Sequence, residues 1–98
     1  MKIRWMPLAE QDLEAAYDYV RQDNPKAASR LVARIFRAVE MLGSYPSAGH
    51  LGRVAPTREL AVAQTPYIVV YQHTGDEIRV LAVIHGARRW PTSFGEGG

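Results

Sequence analysis

Three histidines, ten arginines and two tryptophans are the side chains of this 98-residue chain best suited to binding or turning over a ligand. Their spacing excludes several chemistries. His50, His73 and His85 are dispersed, with no His-x-x-x-His or Glu-x-x-His pair to gather on one ion, so neither a metal site nor a cofactor is expected. There is no cysteine, which removes thiolate ligands and disulfides together. Gly49 and Gly52 lack a following Lys-Ser/Thr and do not join a strand to a helix, so they do not form a phosphate-cradling loop. Ser29, Ser44, Ser47 and Ser93 stand in no nucleophile-elbow context. What remains is His85-Gly86-Ala87-Arg88-Arg89-Trp90-Pro91. Two arginines beside an indole, entered through a glycine, suit contact with phosphates or stacking on a base. The same residues also suit a capping tail, with Trp90 over the sheet edge and the arginines solvated.

The elements that must position this segment follow from periodicity. Lys2 to Trp5 alternates and is stopped by Pro7, a short first strand. From Leu8 to Gln22, Leu13, Ala16, Tyr17 and Val20 recur at helical steps. Asn24-Pro25 supplies an N-cap and a proline at the first position of a second helix. Its stripe is Ala28, Leu31, Val32, Ile35, Phe36, Val39 and Leu42, with Gly43 as the expected C-cap. Ser47 to Thr57 has glycines, a proline and no apolar period, and is expected to be a long loop. Arg58 to Ala63, Tyr67 to His73 and Glu77 to His85 read as three strands, the last two joined as a hairpin at Thr74-Gly75-Asp76. The expected fold is therefore α+β, a four-stranded, mostly antiparallel sheet with the helical hairpin on one face and the other face partly open. Period two puts Arg79, Leu81, Val83 and His85 on one face of the last strand and Ile78, Val80, Ala82 and Ile84 on the other.

At 47 % hydrophobic residues the chain holds one core, read as a single domain over 1–91 followed by a flexible tail over 92–98. No stretch approaches the roughly 20 apolar residues of a membrane span, and the acidic start fits no export signal, so a cytoplasmic protein is expected. The basic residues divide as ten arginines to two lysines. Arginine's planar fork suits carboxylates and phosphates, although a GC-rich genome produces the same bias. The two helices carry opposite stripes, Glu10, Glu14 and Asp18 on the first and Lys26, Arg30, Arg34 and Arg37 on the second. Such stripes are solvated faces or, on the second helix, a surface for an acidic partner.

The order of these elements, the Asn24-Pro25 junction, Gly52-Arg53-Val54-Ala55-Pro56-Thr57-Arg58-Glu59-Leu60, Tyr67…Tyr71 and the run from Val80 to Pro91 together resemble the RelE/ParE superfamily of toxins from type II toxin–antitoxin modules. The resemblance implies a microbial-ribonuclease-like α+β fold, growth inhibition and neutralisation by a cognate antitoxin. Toxins resembling RelE cut messenger RNA on the ribosome, which needs cations on the scissile phosphate and proton transfer to and from oxygen. Here only a reduced set, Arg58, Arg79, His85 and Arg88, offers itself for that chemistry, and no lysine lies between Arg58 and His73. Toxins resembling ParE bind DNA gyrase, interfere with its cleavage and religation cycle, and carry no ribonuclease site. The lysine-poor strands fit this branch better, so the chain is read as a gyrase-directed toxin. A ribosome-dependent endonuclease and an inert antitoxin-binding relative are the alternatives. The resemblance carries over target contact to His85, Arg88, Arg89 and Trp90, and makes Arg30, Arg34 and Arg37 candidates for binding the antitoxin.

Overall fold

The computed structural model describes residues 1–87, 90, 91 and 94. Arg88 and Arg89, and all of the expected tail except Phe94, lie outside the described residues. The elements run β1 (Lys2–Trp5), α1 (Pro7–Arg21), α2 (Pro25–Ser44), β2 (His50–Leu51), β3 (Arg58–Ala61), β4 (Tyr67–Thr74) and β5 (Glu77–His85). The α2 start is the expected one: Asn24 Oδ1 accepts from Ala27 N at 3.1 Å, and Pro25 occupies the first turn. Its end is not. Gly43 lies inside the helix, which ends one residue on at Ser44; Tyr45 N donates to Met41 O at 2.9 Å with a φ of −131°, so no left-handed residue is needed.

The sheet has five strands in the order β1-β5-β4-β3-β2, with β1 parallel to β5 and the remaining pairs antiparallel. The expected count was four. The additional strand, β2, lies in the stretch read as a loop, since two residues are too few to show a period. It pairs His50 with Glu59 and Leu51 with Arg58, and the bond from Gly52 N to Thr57 O at 2.7 Å closes its connection to β3. The buried Tyr71 ties the preceding turn down, its hydroxyl donating to Pro46 O at 2.7 Å and accepting from Gly49 N at 2.9 Å. A Cβ at Gly49 would stand 2.7 Å from Glu59 O and 2.8 Å from the Tyr71 ring, so only glycine fits there.

The largest departure from expectation lies within β5. Tyr71 pairs with Val80 and Val70 with Ala82, which leaves Leu81 as an extra residue, a β-bulge. One added residue is half a pleat period, so every side chain after it changes face. Ile78 and Val80 face the helices, and so does Val83; Leu81 and Ala82 both belong to the opposite cluster. The strict alternation expected along β5 is therefore corrected: Arg79 faces away from the helices, whereas His85 faces toward them. β1 ends opposite Val80, and beyond it α1 meets the edge of β5, where Asp12 Oδ2 accepts from Val83 N at 3.0 Å.

The helix-side core packs Ala16, Leu31, Ile35, Val39 and Leu42 against Val69, Tyr71, Ile78, Val80 and Val83. Phe36, expected in the stripe, is 43 % exposed and packs against Trp5 in a tilted arrangement with ring centroids 5.3 Å apart. The second face is not open as expected. Val70, Leu81 and Ala82 are covered by Phe94, with Trp90, Val54, Met6 and Ile84 packed around them. Phe94 is only 6 % exposed.

Candidate functional site

His85 closes β5 on the helix side, directly across the ladder from Tyr67 and edge-on to its ring at 5.5 Å. Its Nδ1 accepts from Ala87 N at 3.1 Å, which selects the tautomer with hydrogen on Nε2. It borders a cavity of about 340 Å³ shared with Arg30, Arg34, Gln64 and Tyr67. Arg34 Nη1 donates to Gln64 Oε1 across that cavity. Arg37 lines a neighbouring groove of about 320 Å³ with Arg34, Met41 and Leu60. Two of the three arginines on α2 and the histidine on β5 thus share one concavity, although the sequence placed them in separate sets.

The remaining candidates lie elsewhere. Arg79, on the opposite face, donates from Nε to Glu77 Oε2 at 2.7 Å, and Arg4 approaches the same oxygen at 3.9 Å. The hydrogen bond from Arg79 holds the Glu77 carboxyl below its ordinary value against the effect of burial, with the charges of Arg79, Arg4 and Lys2 adding to it. Arg58 Nη1 donates to Gly49 O at 2.7 Å and borders a separate cavity of about 380 Å³ with Leu51 and His73. Arg58, Arg79 and His85 therefore do not surround one point. Arg88 and Arg89 fall outside the described residues. Among the described residues no group of three or more metal-ligating side chains gathers, and no helix is long and apolar enough to cross a membrane.

Sequence reasoning missed a polar cluster on the tail side. Glu59 is 2 % exposed. Its Oε2 accepts from Arg53 N at 2.8 Å and Arg53 Nε at 3.2 Å, and its Oε1 accepts from Arg53 Nη2 at 3.3 Å. Burial pushes this carboxyl up, but the backbone and side-chain donors of Arg53 and the charges of Arg53 and His50 outweigh it and hold the group below its ordinary value. The guanidinium thus fixed lies 3.6 Å from the centroid of the Trp90 ring. The signal in the sequence was slight: an arginine and a glutamate six residues apart across a loop, meaningful only once that loop folds back on itself.

The match to the family described as the ParE toxin of type II toxin–antitoxin system, parDE, spans residues 3–90. The Y4kP protein of Sinorhizobium fredii, a toxin by name, is 42 % identical over 90 residues, covering 92 % of this chain and 93 % of that one. Toxin RelE2 of Caulobacter vibrioides is 34 % identical over 87 residues, 89 % of this chain and 97 % of its own. Among solved structures, a chain of the chromosomal ParDE system from P. aeruginosa superposes with a TM-score of 0.79 at 27 % identity, over 87 % of this chain and 95 % of that chain.

Proposed function

This chain belongs to the ParE toxin family of type II toxin–antitoxin systems, and on that footing we propose that it inhibits growth by binding DNA gyrase and disturbing its cleavage and religation cycle. It is the toxin of a ParDE/RelE-type module, which implies an antitoxin partner. The observation that carries the target is the dispersal of the cations. Cutting an RNA strand needs an acid, a base and a positive charge around one phosphate. Here the bulge at Leu81 separates Arg79 from His85, and the face bearing Arg79 also holds two carboxylates, Glu59 and Glu77, both kept ionised by their arginines. The arginines of that face are thus already paired with carboxylates and not free to gather on a phosphate. Its action belongs in the cytoplasm, where gyrase and a co-expressed antitoxin meet it.

The test is purified protein with gyrase and relaxed plasmid. Inhibited supercoiling is expected, together with a DNA-damage response on expression; normal supercoiling at excess toxin sinks the reading. The kinship with RelE2 makes messenger cleavage the competing outcome, and mapping transcript ends after induction decides it.

For the antitoxin we infer that Arg30, Arg34 and Arg37 receive acidic residues of its flexible segment. Support comes from the cavity that joins Arg30 and Arg34 to His85: a chain laid along the arginines also covers the histidine, so neutralisation follows from occupancy. Arg30→Glu with Arg34→Glu should weaken antitoxin binding by about tenfold or more per charge, ~1.4 kcal/mol each, mostly through slower association. Unchanged affinity by calorimetry would remove this surface.

A further inference from the structure

The ring of Trp90 docks on the sheet through one loop side chain. Arg53 lies between the buried Glu59 carboxylate and the indole, its guanidinium plane set by the fork of bonds to Glu59 and its face toward the ring at 3.6 Å. Phe94 adds apolar burial over Val70, Leu81 and Ala82. Against this, Trp90 Nε1 is buried with no acceptor among the described residues, which weakens the docked state. Docking is thus a close balance that one side chain can tip.

We propose that Glu59 and Arg53 form a latch that fastens Trp90 on the tail side of the sheet and so sets how the toxin presents Trp90 to its target. Arg53 and Glu59 are positioning residues in this scheme: they act through Trp90. The chain leaves the helix side at His85, where Gly86 N donates to Pro66 O at 2.8 Å, and reaches the other side by Trp90. The latch is the contact that holds this crossing at its far end. Its functional half rests on the gyrase reading; its structural half does not.

The experiment uses the full chain with Trp5→Phe, so that emission reports Trp90 alone. Arg53 is half exposed on a loop, so Arg53→Gln is expected to fold, as far-UV circular dichroism checks. The variant should shift the docked-to-free ratio about three- to fivefold, the size of a cation–π contact at a half-exposed site, and raise acrylamide quenching accordingly. From an even balance that lowers the docked fraction about two- to threefold, so about two- to threefold more toxin should be needed for half-inhibition of supercoiling. Arg53→Lys keeps the charge but loses the plane and should recover only part of both effects. Arg21→Gln, on exposed α1, should change neither. Equal quenching in wild type and Arg53→Gln overturns the latch. Raised quenching with unchanged inhibition overturns its positioning role. A wild-type protein that leaves supercoiling untouched overturns the gyrase reading instead, and quenching alone then judges the latch.

Discussion

On one side the sheet is covered by helices of 15 and 20 residues that bury Ile35, Val39 and Leu42 almost completely, whereas on the other it is covered by single side chains from a loop and the C-terminal segment, chiefly Val54, Trp90 and Phe94. The two covers differ in cooperativity. A helix cannot leave the sheet without exposing a whole stripe, but a latched segment can detach while the remaining core stands. The helix side therefore accounts for the fold, and its concavity is the surface proposed for the antitoxin. The tail side is held locally, as the proposed latch requires.

Ile35→Ala should test the first half of that contrast most severely. It empties a fully buried position and should cost about 2–5 kcal/mol, seen as a lower urea midpoint for the whole molecule. Phe94→Ala removes comparable apolar area from the tail side, about 1.5–3 kcal/mol of burial, yet should appear mainly as increased Trp90 quenching with a smaller change in global midpoint. An equal fall in the midpoint would show that both faces unfold as one. Asp12→Ala takes the acceptor from Val83 N beside the bulge and should cost about 1–3 kcal/mol, while Asp12→Asn, which keeps an acceptor, should cost less. Equal losses would mean that the carboxylate's charge, not its acceptor, supports the bulge.

The smallest expected effect is with pH. Glu59 is held below its ordinary value, so its contribution to the latch is complete above the usual carboxylate range and is lost as pH falls through the lower folded-state value. Trp90 quenching should rise in that acid range before the helical signal declines. Glu77 is lowered in the same direction on the same face, so Glu77→Gln serves as the comparison. If Glu59→Gln leaves the acid transition in place and Glu77→Gln removes it, the latch does not depend on Glu59.

Several parts of this arrangement were legible in residue order. The helices could be read because a 3.6-residue stripe repeats over several turns, and the Asn24-Pro25 start because capping is local chemistry. The hairpin at Gly75 was equally local: its φ of 58° is a conformation glycine adopts without strain. Two-residue β2 was too short to show a period. The cover on the second face was hidden because Phe94 and Val70 are far apart in sequence and meet only in the fold.

The sequence by itself determined the family and the two helices, since each rests on residues adjacent or periodic along the chain. Only the tertiary structure decided which way the end of β5 faces. A bulge at Leu81 is invisible in a run of apolar residues that reads the same in either register, yet its single extra residue sends Arg79 and His85 to opposite sides of the sheet. The partnership of Glu59, Arg53 and Trp90 likewise exists only once a loop and a chain end meet over the same strands.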